Sequence, residues 1–273
     1  MIVRIFLILI LGVLLAPGAT AGNVPSAKGL FQFAQIAALS KGLERALAER
    51  GARVAIIGRV GLPPQVMPPG VEYSHAGFAV YSSIRTADNR LVPGYAVYNL
   101  YQGDARTGVS FLMQDYPVDY FAAIHVLKAA VVIPSDKLQR ALAATIFSPT
   151  YKSLHNPRYS VLANPFRTDY QNCTGFVLDV IFASIYRTAD PRRIKANIAA
   201  YFEPQPIHVD ALKLALADAM MPDVSVDDHT GPIATATFES IARFLVRNGI
   251  ARETFSFVVE PTTLYGRIEP LPL

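Results

Sequence analysis

Two runs rich in Tyr, Val and Phe constrain this chain more than any other feature. They span residues 71–84 (VEYSHAGFAVYSSI) and 93–102 (PGYAVYNLYQ), with Asp88 and Asn89 between them. β-Branched and aromatic side chains favour extended backbone, and Asp and Asn favour a turn, so an antiparallel hairpin is expected. An apolar sheet face must be covered, and the rest of the chain has to supply the cover.

The covering segments are legible by periodicity. Ser26 is placed to cap a helix running to about Arg50, with Gly51 as its stop. Leu30, Phe33, Ala37, Leu43 and Leu47 give that helix its apolar stripe. Residues 53–58 hold Val54, Ala55, Ile56 and Ile57, a short buried strand. Pro63, Pro64, Pro68, Pro69 and Gly70 then mark a surface loop. Residues 129–133 read as another strand, after which Ser135 and Asp136 open a helix to about Phe147. Residues 148–172, with Pro149, Pro157 and Pro165, read as a long irregular segment, a length uncommon in a compact domain unless it is functional. Helical spacing returns at 174–187 (Phe176, Val177, Val180, Ile181, Ile185), 191–202, 208–220 and 234–248. Residues 254–259 give a last strand. The expected class is α+β, a mostly antiparallel sheet with helices packed around it.

Ahead of these segments, Arg4, the apolar run 5–15 and the triplet Ala19, Thr20, Ala21 follow the order of a secretory signal. The run falls short of the about 20 apolar residues that a membrane span requires. A signal over residues 1–21, cleaved near Ala21, is therefore expected. Residues 22–273 would then form a single domain, periplasmic or secreted, with a core at about 71–187 and a helical part at 188–273. No later run is long and charge-free enough to span a membrane; residues 122–133 come nearest, but contain His125 and Lys128. The net charge of +4 is spread along the chain without a basic cluster, which argues against a nucleic-acid partner.

The chain has one cysteine, Cys173. Exported proteins commonly pair their cysteines, and a lone one can form no internal bridge. Cys173 stands where the irregular segment meets a helix start. There the helix dipole favours negative charge, which eases ionisation to the nucleophilic thiolate. The same N–H groups can hold the oxyanion of an acyl-transfer intermediate. Of the five histidines, His75 in the first hairpin strand is the best base, because Ser74, Ala76 and Gly77 leave room beside it. His155, in the long loop, is the second candidate. His125 reads as a core residue, and His208 and His229 as surface residues. A third polar group should orient the imidazole. Asn99 and Gln102 are the polar members of the next strand, and hairpin register decides between them.

The strand SHAGFAV followed by NCTGFVLD at a helix start resembles the circularly permuted papain-like hydrolases of the NlpC type. In those proteins the His strand precedes the Cys helix. Residues 159–173 (YSVLANPFRTDYQNC), together with the His75 strand, resemble a family of uncharacterised exported bacterial proteins, a domain of unknown function near that superfamily. The resemblance covers about residues 71–186. It implies a permuted papain-like fold with Cys173 as nucleophile, His75 as base and a polar residue of the next strand, Asn99 or Gln102, as orienter. The implied substrate is an unidentified peptide or acyl compound with an amide, ester or thioester bond, for which the cell envelope is one candidate source.

Tyr170 and Gln171 could line the site, with Gln171 as a donor to an oxyanion. No pair of ligands has metal-site spacing, and no glycine-rich phosphate loop is present, so no metal and no cofactor is expected. Asn172-Cys173-Thr174 also fits the N-glycosylation pattern, a match read as chance. The reading from a different class is a non-enzymatic envelope binding protein of the same fold, with Cys173 buried and a groove between the long loop and the hairpin.

Overall fold

The computed structural model describes residues 29–86, 88–103, 108–208, 221 and 223–273. The expected signal, the Ser26 cap and nearly all of the helix expected at 208–220 lie outside them.

The expected hairpin forms the centre of a larger sheet. Its strands are β2 (His75–Arg85) and β3 (Leu91–Gln102), paired antiparallel with Gly77 opposite Asn99. Around them lie β1 (Val54–Arg59), β4 (Ser110–Asp115), β5 (Lys128–Pro134), β8 (Ala251–Val259) and β9 (Gly266–Glu269). The order is β4-β3-β2-β1-β5-β8-β9, and every neighbour is antiparallel. A separate short ribbon pairs β6 (Gln205–Pro206) with β7 (Ala234–Thr235).

Both faces of the sheet are covered, and the period of two sorts the side chains between them. Helix α1 (Phe33–Glu49) lays Leu39, Leu43 and Leu47 on one face, against Ala55, Ile57, Val97, Val131 and Phe257. A single turn, α2 (Pro117–Tyr120), adds Tyr120 to that layer. The other face carries Val54, Ile56, Ala76, Phe78 and Val132. It packs on α3 (Asp136–Ile146), α5 (Cys173–Tyr186) and α7 (Phe238–Arg247). β1 has every residue buried, as a strand covered on both faces must.

α5 runs through the middle of its layer. Every residue from Cys173 to Ser184 is buried, matching a sequence apolar all round rather than striped. Its one buried acid, Asp179, is neutralised by Lys195 of α6 (Pro191–Tyr201), whose Nζ lies 2.6 and 2.9 Å from the two carboxylate oxygens. Gln171 donates to the same group at 2.8 Å. Among the described residues no helix is long and apolar enough to cross a membrane.

Several expectations are corrected. α1 starts at Phe33 with Gln32 as its cap, so Leu30 and Phe33 are 63% and 78% exposed and lie off the apolar stripe. The long irregular segment opens with a short helix, α4 (Pro149–Ser153). The helix expected at 234–248 begins at Phe238, where Thr237 and Ser240 form a reciprocal cap, because Ala234 and Thr235 are held in the β6–β7 ribbon. β4 and β9 were not expected at all. The C-terminal part is not all helical: α7 joins the core under α5, and the expected last strand, β8, extends the sheet together with β9.

Candidate functional site

The site lies where β3 parts from β2. Odd-numbered residues of β2 turn their backbone groups toward β1, as the Tyr81 N–H bond to the Arg53 carbonyl shows. Even-numbered residues therefore face β3. The β2–β3 register ends at Gly77 opposite Asn99, so the Ser74 carbonyl and the Ala76 N–H project beyond the last rung. Cys173 fills that notch. Its thiol lies 3.9 Å from the Ser74 carbonyl oxygen, and the Ala76 N–H points at the sulfur.

Local sequence fixes the thiol there. Asn172 caps α5, its Oδ1 accepting from the Gly175 N–H at 2.7 Å and from Thr174 Oγ1 at 3.1 Å. Its Nδ2 donates to the Val161 carbonyl and to Thr235 Oγ1. The cap ties the start of α5 to the long loop and to β7, and it leaves the Asn172 amide buried rather than available for glycosylation.

His75 approaches the notch from the α1 face. Its side chain shares that face with Gly77 and leans toward β3, stacked on Tyr101 with ring centroids 5.0 Å apart and tilted against Tyr120 at 5.6 Å. Its Nε2 lies 2.9 Å from Asn99 Oδ1. Gly77 makes the meeting possible: a Cβ there would stand 2.9 Å from Asn99 Cβ. Asn99 is fixed in turn, because its Nδ2 donates to Asp115 Oδ2 at 3.1 Å, and a carboxylate oxygen accepts. Oδ1 must then face the imidazole, so Nε2 carries the proton and Nδ1 keeps its lone pair. The Tyr101 hydroxyl donates to the same Asp115 oxygen at 2.7 Å. Among the described residues His75 Nδ1 has no hydrogen-bond partner, and no hydrogen bond joins the imidazole to the Cys173 sulfur.

Burial dominates the electrostatics. It pushes the Cys173 thiol up, opposed by the N–H groups of Ala76 and Thr174 and by the Arg59 charge. Burial also holds the His75 imidazole down to about 3, with the Arg59 charge acting in the same direction and the Asn99 bond against it. Asp115 is pushed up by burial and held down by Tyr101 and Asn99. At rest near neutral pH the site thus holds a neutral thiol and a neutral imidazole. Such a pair can act by general-base attack, with the S–H proton passing to Nδ1 as the sulfur adds to a carbonyl.

The other expected residues lie elsewhere. Gln102 is not an orienter: its Nε2 donates to Asp223 Oδ2 at 2.7 Å. Gln171 is no oxyanion donor, since its amide is bound by the Asn156 N–H, the Leu154 carbonyl and Asp179. Tyr170 lies under the Arg158 guanidinium, 4.6 Å from ring centroid to carbon, away from the notch. His155 meets Ser110 Oγ at 3.0 Å. His125 is half-buried rather than a core residue, and His208 is exposed. His229, expected at the surface, has a buried side chain whose Nε2 donates to the Leu162 carbonyl at 2.8 Å. Arg59, Tyr101, Asp115 and Tyr120 were not foreseen. The pairing of β1 and β3 with the His75 strand, the pairing of β4 with β3 and the packing of α2 bring them in, and no local pattern marks them. Among the described residues no cluster of three or more His, Cys, Asp and Glu is placed to hold a metal ion.

Fold and site together define an α+β protein with a Cys–His–Asn notch at the end of an antiparallel sheet. An uncharacterised protein family conserved in bacteria (DUF2145) matches residues 46–245, and the chain belongs to that family. No curated protein and no solved structure matches the chain.

Proposed function

We propose that the protein is a cysteine hydrolase or acyltransferase of permuted papain-like design, exported to the periplasm or beyond. The observation that carries the reading is the His75 Nε2–Asn99 Oδ1 bond, which leaves Nδ1 as the free base at the notch that Cys173 fills. The chain order, with a His-bearing strand before the Cys-bearing helix, is that of the NlpC-type proteins the sequence resembles.

In this reaction the Cys173 sulfur adds to the carbonyl carbon of an amide, ester or thioester, and its proton goes to His75 Nδ1. N–H groups at the start of α5 hold the oxyanion. The leaving amine, alcohol or thiol takes the proton back from the imidazolium, and an acyl-thioester remains on Cys173. Water or a second nucleophile then gives its proton to His75 and releases the acyl group, regenerating the thiol. p-Nitrophenyl acetate tests the step. An acetyl adduct on Cys173 by intact mass, lost in Cys173→Ala and slowed in His75→Gln, is the expected result. Turnover that survives Cys173→Ala would exclude the mechanism.

One observation favours a non-enzymatic binding protein instead: Cys173 is only 5% exposed and burial disfavours its thiolate. In that case native Cys173 resists iodoacetamide until the protein unfolds.

A further inference from the structure

A groove of about 1100 Å³ lies between α3 and the end of α5, with Ile250 on its wall. A small-molecule site typically measures about 300–1,000 Å³, so a whole ligand can be accommodated. The lining follows α3 from Ser135 past the helix end to Thr150. α3 has 11 residues and is therefore about 16 Å long, which makes the groove elongated. Its floor reaches between the helices to Leu138, Ala183 and Ser184, all of them buried. Ala141 and Ala144 stop at Cβ along the α3 wall and leave the space open.

The charge of the lining is one-sided. Lys137, Arg140 and Arg187 line the groove, and no acidic residue does. Lys137 and Arg140 stand one turn apart on α3 and so share a face. All three cations are exposed, and among the described residues none has an ion-pair partner. The acids nearest in sequence are engaged elsewhere, Asp136 with Arg252 at 2.7 Å and Asp190 with the Arg192 N–H at 3.0 Å. A cleft lined by one sign of charge concentrates ligands of the other sign. The hydroxyls between the helices are turned inward. Thr145 Oγ1 donates to the Ala141 carbonyl at 3.1 Å, Ser148 Oγ to the Thr145 carbonyl at 2.9 Å and Ser184 Oγ to the Val180 carbonyl at 2.7 Å. The groove thus offers free cations at its rim and alkyl surface below, with few free partners for a peptide backbone. We propose that it binds a single-chain amphiphile with an anionic head. The head meets the cationic rim, and the chain covers Leu138, Ala141 and Ala144, removing apolar surface from water.

The groove begins about 15 Å along α5 from Cys173, so it stands whether or not the thiol is catalytic. Isothermal titration calorimetry with laurate, below its micelle concentration, tests it. Saturable one-to-one binding is expected, tighter by at least about tenfold than that of monolaurin, which has the same chain and a neutral head. Acetate, which has the head without the chain, should not bind measurably. Arg140→Gln combined with Arg187→Gln should cut laurate affinity about tenfold and leave monolaurin unchanged. Ala144→Leu, which fills the groove, should weaken both ligands. The three replaced residues are exposed, so the native Tm should be kept. Equal affinity for laurate and monolaurin, or laurate binding that Ala144→Leu leaves intact, would overturn the proposal. Absence of laurate binding would overturn it too, and binding of an acidic amphipathic helix in its place would make the groove a protein-docking surface.

Discussion

At the scale of single residues, His75 links the site to stability. Its imidazole titrates at about 3 in the folded protein and near 6.5 when unfolded. Between these values the unfolded chain binds more protons, so stability rises with pH; it is fully present above the unfolded value and is lost as pH falls toward the folded one. Urea midpoints should therefore fall between about pH 7 and about pH 4, and His75→Gln should flatten that part of the profile. An unchanged slope in the variant would place the acid sensitivity elsewhere. Burial moves the thiol the opposite way, so Cys173 alkylation should climb only above the ordinary thiol range near pKa 8.5. At neutral pH, His75→Gln should lower the rate of alkylation if Nδ1 assists the thiol. Asn99 stands between His75 and Asp115; Asn99→Ala removes one of the two donors to the buried Asp115 Oδ2 and frees the imidazole tautomer. A loss of about 1–3 kcal/mol is expected, measured by chemical denaturation.

At the scale of elements, the relation of α5 to β2 positions the chemistry. α5 packs on one face and sets Cys173 against the Ser74 carbonyl, while His75 projects from the other face, where the β2–β3 register ends. Two predictions belong here. Gly77→Ala sets a Cβ against Asn99, so the hairpin must shift and the His75–Asn99 bond lengthen; a His75 ring-proton NMR shift that stays at its native position would contradict this. Asp179→Ala strands Lys195 beside α5, and breaking such a buried pair costs about 3–5 kcal/mol. The double variant Asp179→Leu with Lys195→Met should recover much of that loss, because it removes the unpaired charge as well. The hairpin and α5 were legible in sequence, since one alternates apolar and aromatic residues and the other is apolar all round. β4 was not: its run SFLMQD is short and holds three consecutive apolar residues rather than an alternation, and its strand state comes from pairing with β3.

At the scale of the whole molecule, the first 21 residues read as a signal, so the mature form should begin at Gly22 by intact mass; a retained Met1 would refute cleavage. Hydrogen exchange should be slowest in β1, covered on both faces, and faster in β9 at the sheet edge. The sequence by itself determined what local pattern can carry. It specified the class of fold, the hairpin, the central helix, the helix-start position of Cys173 and a nearby His-bearing strand. Tertiary structure alone decided the register that chose Asn99 over Gln102. It also decided the burial that keeps thiol and imidazole neutral, and the convergence of Arg59, Tyr101, Asp115 and Tyr120 on His75. The reason is physical: period and capping act within a few residues along the chain, whereas register, desolvation and charge proximity depend on strands far apart in sequence lying side by side.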